Sequence, residues 1–257
     1  MPRATRKTPP APAAGLRKAD VVSRALLDRI VHKHIAVGAV LPTESEIATE
    51  FDVNRSVVRE AIKLLEVHRL VRPVRRRGTV VLDPLASMSP EVVHAMLRGE
   101  RGTIDLAFFE SLLEIRAVLD AQICSLAAER RTKADLKALE AALESLRVAT
   151  DRTQYTEATS EWGLALARAT HNPVCEMLSH WNRQVVRDLA PVFASIQPLG
   201  GAHLEGLGIM LECIRAKDAE RARSMVDAYH AWGTPRLLAA ASLANGTPLD
   251  RVRKELR

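Results

Sequence analysis

Apolar residues recur every three or four positions along most of this chain, and the places where that rhythm stops mark its joints. Val22, Leu26, Leu27, Ile30 and Val31 form one stripe, which predicts a helix from about Ala19 to Ile35. Gly38 ends that segment, and Pro42 blocks its continuation. Thr43 with Glu46 three residues on is a capping-box pattern, so a short helix is expected through about Phe51. Asp52-Val53 makes a turn, and Asn54 is placed to cap a longer helix that ends near His68. Val58, Ile62 and Leu65 face inward on that helix; Arg55, Ser56, Arg59 and Lys63 fall on or beside the opposite face. Leu70–Val74 and Thr79–Leu82 read as two short strands around Arg75-Arg76-Arg77-Gly78.

The rhythm lapses again over residues 83–89, where Pro84, Ser87 and Ser89 lead to Pro90, and this stretch reads as a linker. Beyond it the period is helical throughout. Helices are expected at about 90–99, 105–130, 133–149, 153–170, 173–195, 201–216 and 218–244, the last with a potential break near Gly233 to Pro235. Asn172-Pro173 and Gln197 to Gly201 are the clearest interruptions. The fold class expected is mostly α: a winged helix-turn-helix over 19–82 with a two-stranded wing, then an all-α bundle over 90–244. Residues 1–18 hold four prolines among basic residues and are too polar and broken to fold alone; they are either a passive tail or an arm for phosphates. Residues 245–257 read as a second loose, basic tail.

Charge sharpens this division. Residues 1–82 hold 16 Lys/Arg against 8 Asp/Glu, a net +8, whereas residues 83–257 hold 21 against 23, a net −2. The whole excess of the chain, +6, therefore sits in the first third, as in a polyanion-binding module joined to a near-neutral partner. Cys124, Cys175 and Cys213 are odd in number and far apart, which excludes a disulfide framework or zinc knuckle; each fits a buried apolar position. No apolar run approaches a membrane span, and the basic start has no apolar core of a signal peptide, so a cytoplasmic protein without a membrane partner is expected. No nucleophile–base pair, phosphate loop or paired carboxylate stands out, and no catalytic residue is assigned.

A helix reads DNA by entering the major groove with forked or short polar side chains near its N-terminal end. Asn54, Arg55, Ser56 and Arg59 occupy that end, with Lys63 one turn further. Arg75, Arg76 and Arg77 at a hairpin tip would lie along the backbone or in the minor groove, because three like charges at a tight turn repel unless something neutralises them.

These residues carry a resemblance. Leu41-Pro42-Thr43-Glu44-Ser45-Glu46-Ile47-Ala48, Val53 to Ile62 and Arg77-Gly78-Thr79-Val80-Val81 resemble the GntR family of bacterial transcriptional regulators over residues 19–82. The resemblance implies DNA contacts from Arg55, Arg59 and the wing; with the residue reading, the candidate contacts are Thr43, Ser45, Asn54, Arg55, Ser56, Arg59, Lys63, Arg75, Arg76, Arg77 and Thr79. Ser45 stands where the family often has a contacting Arg, and Arg76 stands where its wing usually has Gly. Over about residues 90–235, Leu112 to Leu119, Ala167 to Val174 and Cys213 to Glu220 resemble the FadR branch, whose helical domain binds a small effector and supports a dimer.

Many members of that branch hold a metal through one Asp and three His. Those positions fall on Thr159, Gly163, Leu207 and Tyr229 here, with His230 adjacent to the last, and cannot make that site. The remaining histidines, including His94, His171, His180 and His203, show no pair at i, i+4 with a carboxylate, so neither metal nor other cofactor is expected. Trp162, Gly163, Leu207 and Tyr229 would leave an apolar cavity with a polar edge, which favours a lipophilic effector such as a fatty acyl-CoA, with Thr159 a further candidate contact; Trp162 and Tyr229 are either part of that site or plain core. Arg116 either holds that effector's carbonyl or phosphate or is a helix arginine paired with Glu114 or Asp120. The reading is a homodimeric, DNA-binding regulator, expected to act as a repressor, on a two-fold-symmetric operator. Its alternatives are a regulator answering a small organic acid and an architectural DNA-binding protein without an effector.

Overall fold

A computed structural model describes residues 17–99, 102–187 and 201–248. The tails over 1–16 and 249–257, the end of the helix expected to reach 195, and most of the break expected at 197–201 lie outside them. The chain forms two compact units, residues 1–100 and 101–257.

The first unit begins with α1 (Lys18–Val31), α2 (Glu44–Phe51) and α3 (Arg55–Val67), followed by β1 (Val71–Val74) and β2 (Gly78–Val81). The capping box is present: the Thr43 hydroxyl accepts from the Glu46 N–H at 3.3 Å, and the Glu46 carboxylate accepts from the Thr43 N–H at 2.7 Å. Asp52 closes α2 in the left-handed region, and Asn54 caps α3 by accepting from the Val57 N–H at 3.0 Å. The inward faces are those the pattern gave. Leu26, Ile47, Val58 and Leu65 are fully buried, with Val22 and Ile30 beside them, and Val71 and Val81 complete the core. Arg29 of α1 reaches Glu50 of α2 and lies over the Phe51 ring, fixing the approach of these helices.

The wing is antiparallel, with Val71 opposite Val81 and Val74 opposite Gly78. The segment before α2 joins it as a third edge. Leu41 donates to the Thr79 carbonyl at 2.8 Å, and Val81 donates to the Ala39 carbonyl at 2.9 Å. Gly78 lies at φ +102°, and a Cβ there would meet Val40 at 2.9 Å, so both the backbone and the close approach require glycine.

After a short 3₁₀ turn (Pro84–Ala86), α4 (Pro90–Leu97) packs on α1. Val92 is fully buried and joins the core of the first unit with Ala95. Residues 90–97, expected to open the second domain, thus belong to the first. Their apolar face is as helical as those that follow, so periodicity alone could not say which core it would join.

The second unit contains α5 (Leu106–Arg130), α6 (Lys133–Val148), α7 (Arg152–Ala169), α8 (Pro173–Arg187), α9 (Ala202–Ala216) and α10 (Ala219–Ala244). Side chains of Asp105, Thr132, Asp151 and Asp218 cap α5, α6, α7 and α10. α5 packs most extensively on α10, and Asn245 clamps the two by accepting from the Ile104 N–H and donating to its carbonyl, at 2.7 and 2.8 Å. The break considered near Gly233 to Pro235 does not occur: α10 runs through Pro235. Cys124, Cys175 and Cys213 are buried free thiols. Among the described residues no helix is long and apolar enough to cross a membrane.

Candidate nucleic-acid interface and polar cluster

On the first unit, Arg55, Ser56, Arg59 and Lys63 are exposed along α3, and Arg75, Arg76 and Arg77 are exposed at the wing tip. Arg55, Lys63, Arg75 and Arg76 meet no acidic partner among the described residues. Arg59 is different, because its Nε donates to the Glu44 carboxylate of α2 at 2.8 Å. Arg77 donates to the Gly38 carbonyl at 3.2 Å. Asn54 accepts from the Ser56 hydroxyl at 2.7 Å as well as from the Val57 N–H, so its carbonyl oxygen already serves the cap. Thr43 is likewise held by its capping box. Ser45 is half-buried, with its carbonyl accepting from the Thr49 hydroxyl, and Thr79 sits within β2.

The wing turn closes with the Arg77 N–H donating to the Val74 carbonyl at 3.0 Å, and its central residue Arg76 lies at φ +64°. That is the left-handed region, where a side chain costs about 1–2 kcal/mol.

In the second unit the expected effector residues divide. Trp162 and Leu207 are core residues, 4% exposed each. Gly163 faces α8, where a Cβ would lie 3.9 Å from the Ser179 hydroxyl. The Thr159 hydroxyl donates to the Tyr155 carbonyl at 2.8 Å. Arg116 and Tyr229 instead belong to a polar cluster that the sequence reading did not assemble. Arg116 Nε donates to Asp120 Oδ2 at 3.2 Å, the partner considered for it, and His230 Nε2 lies 3.0 Å from the same oxygen. Tyr155 and His203 share a short hydrogen bond through the phenol and Nδ1. The rings of His203 and Tyr229 stand 5.7 Å apart.

The electrostatics follow from this packing. Burial opposes ionisation of Asp120, but the Arg116 charge and the His230 hydrogen bond outweigh it and hold the carboxyl below the usual range. Burial, then the Arg116 charge, push His203 down to about 4, so its imidazole is neutral near pH 7. Burial raises the Tyr229 phenol, keeping it a donor.

A metal bound as in the FadR branch does not fit here. The hydroxyl of Thr159 is turned to its own helix, Gly163 offers nothing, Leu207 is buried apolar surface and Tyr229 is a neutral phenol. Among the described residues no group of three His, Cys, Asp or Glu is arranged to hold a metal ion. Glu176 does stand one turn before His180, at 3.8 Å, a pairing absent from the sequence reading; it is exposed and brings only one imidazole. The apolar corner expected around Trp162 and Leu207 is closed core, which leaves the lipophilic effector without a surface there. Tyr155, Asp120, His203 and His230 were missed as a set. The visible signal was Arg116 with Asp120 one turn on; the others lie on three further helices.

Comparison with known proteins agrees with both units. Residues 18–81 match the family of bacterial regulatory proteins, gntR family, and residues 111–230 match the FCD domain. The chain is 31% identical to the galactonate operon transcriptional repressor of Escherichia coli over 167 residues, 64% of this chain and 72% of that one. It is 33% identical to the Uxu operon transcriptional regulator of the same organism over 154 residues, 59% of this chain and 58% of that one. A solved structure described as Lar, which controls expression of the Listeria monocytogenes agr system, aligns with a TM-score of 0.59 at 20% identity, covering 89% of this chain and 98% of that one.

Proposed function

The chain belongs to the GntR family of bacterial regulatory proteins, and from that premise we propose that it is a transcriptional repressor acting as a homodimer on a two-fold-symmetric operator. It is a DNA-binding regulator whose FCD domain takes a small-molecule effector, not an enzyme. The carrying observation is the set of exposed cations without acidic partners, Arg55 and Lys63 on α3 and Arg75 and Arg76 on the wing. A groove lined by phosphates supplies the missing counter-charge. Arg55 stands at the start of α3, where a forked donor can reach a guanine edge. Ser45, Thr43 and Asn54 act in this reading mainly by holding α2 and α3 in position.

The effector is a small hydroxylated carboxylate. The name of the galactonate repressor supports that class, and so does the free fork of Arg116, whose terminal nitrogens meet no acceptor among the described residues. It acts by binding the DNA-competent and DNA-incompetent arrangements with different affinity, since equal affinity would shift nothing. The exposed Ile115, Val118 and Leu119, at i, i+3 and i+4 spacing on α5, support an apolar contact between copies.

Selection from random duplex DNA tests this reading. A two-fold-symmetric sequence should be enriched, and Arg55→Ala should weaken binding to it at least about tenfold, the range of one lost bidentate base contact. Enrichment of no sequence, or an Arg55→Ala protein that binds like the parent, overturns it. Sedimentation of the free protein as a dimer is expected.

A further inference from the structure

Three sets of hydrogen-bond donors in the second unit meet no protein acceptor among the described residues. Arg116 uses Nε on Asp120 and leaves both terminal nitrogens unpaired. His203 is 5% exposed, yet only its Nδ1 is engaged, and Nε2 meets no partner among the described residues. The Tyr229 phenol is likewise unpaired. None of these atoms is sealed from solvent, since no fully buried side-chain polar atom among the described residues lacks a partner. They come from α5, α9 and α10, with the His203 and Tyr229 rings 5.7 Å apart. The Arg116 charge acts on both rings.

We propose that these groups form a metal-free anchor for a hydroxylated carboxylate, in which His203 Nε2–H and the Tyr229 hydroxyl hold the ligand's hydroxyl while Arg116 holds its carboxylate. This rests on the reading of the effector as a small carboxylate. A phenol is the natural donor to a neutral imidazole, so Tyr155 donates to Nδ1 and the ring proton resides on Nε2. In this tautomer Nε2–H can donate to an oxygen. Asp120 holds Arg116 through its Nε and leaves the terminal nitrogens without an acceptor among the described residues, and His230 holds Asp120 in turn. The arrangement supplies the positive charge that a cation would otherwise bring, and adds donors in fixed directions. It selects against simple fatty acids, which would leave His203 and Tyr229 unpaired.

The test uses the full chain in EDTA, with galactonate, gluconate, tartrate and citrate as probes. Hexanoate is the hydroxyl-free control, and palmitoyl-CoA is the lipophilic one. The readout is the melting temperature as a function of ligand concentration. At least one hydroxy acid should raise it without added zinc, and hexanoate should do so far less. His203→Asn retains an atom for Tyr155 but loses the distal donor, and should need about tenfold more ligand or worse. His203→Gln, whose amide N–H reaches the Nε2 position, should recover much of that loss.

If Arg116→Gln abolishes the shift but His203→Asn leaves it unchanged, the carboxylate reading stands and this assignment falls. A shift that appears only with zinc also overturns it. If no hydroxy acid acts on the wild type, or only palmitoyl-CoA does, the effector reading itself fails and takes this one with it. ¹⁵N NMR of the wild-type histidines gives a check independent of any variant's folding. A proton on Nε2 of His203 that shifts with added hydroxy acid supports the anchor, and a proton on Nδ1 overturns it.

Discussion

At Arg76 charge and backbone geometry pull in opposite directions. Its φ of +64° suits glycine, while its position at the wing tip suits a cation. Arg76→Gly should therefore stabilise the fold by about 1 kcal/mol in urea unfolding. The same variant should flatten the plot of log affinity against log salt by roughly one phosphate contact per protomer. His203 gives a second prediction at this scale. Its folded value of about 4 lies below the unfolded value of about 6.5, so the unfolded chain binds the extra proton. Stability is then full above pH 6.5 and falls as pH drops toward 4. Between pH 7 and pH 5 this group accounts for a loss of about 2 kcal/mol, and His203→Gln should remove that part of the slope. The lowered carboxyls of Glu46 and Asp135 act further down, as pH falls through their own folded values.

Elements with a strong local signature were legible. Thr43 with Glu46, and Asn54 ahead of an amphipathic run, set the starts of α2 and α3, because a cap is a contact between near neighbours. Asp105, Thr132 and Asp218 carry the same signal for later helices. What could not be read is what depends on distant partners. Pro235 looked like a break, but α10 continues through it, flanked by an Arg236 that lies 4.6 Å over the Trp232 ring and donates to the Trp232 carbonyl at 2.6 Å. α4 looked like the first helix of the second domain, although Val92 is fully buried in the first. A fragment of residues 17–99 should accordingly be more stable than one of 17–89 by about 2 kcal/mol or more, the worth of one buried valine with its neighbours. Equal denaturation midpoints for the two would show that α4 adds nothing to that core.

For the whole molecule, the charge division along the chain foreshadowed the two units better than any single motif. The basic third became the DNA-binding head, with Arg55, Lys63, Arg75 and Arg76 exposed and free of acidic partners. Of the polar cluster in the second unit, the sequence pointed to Arg116 with Asp120 one helical turn on, and separately to Tyr229, without joining them. Tyr155 and His203 are 48 positions apart and meet only through the packing of the bundle. Replacing Arg75, Arg76 and Arg77 together by alanine should reduce the salt slope by up to about three contacts per protomer, while leaving the preferred sequence unchanged. A changed preference would mean that the wing reads bases.

The Arg59–Glu44 pair has a bearing on search. A genome offers millions of wrong sites for each right one, and a protein that clings to all of them finds its target slowly. Arg59 is already neutralised by a carboxylate of its own fold. On unrelated DNA it would exchange that carboxylate for a phosphate, with a small net gain. Only a site whose other contacts seat α3 deeply, with an acceptor placed for the fork, outbids Glu44. If Arg59 reaches an acceptor on the operator, the pair would act as a weak threshold, worth about 1 kcal/mol or less at such exposure.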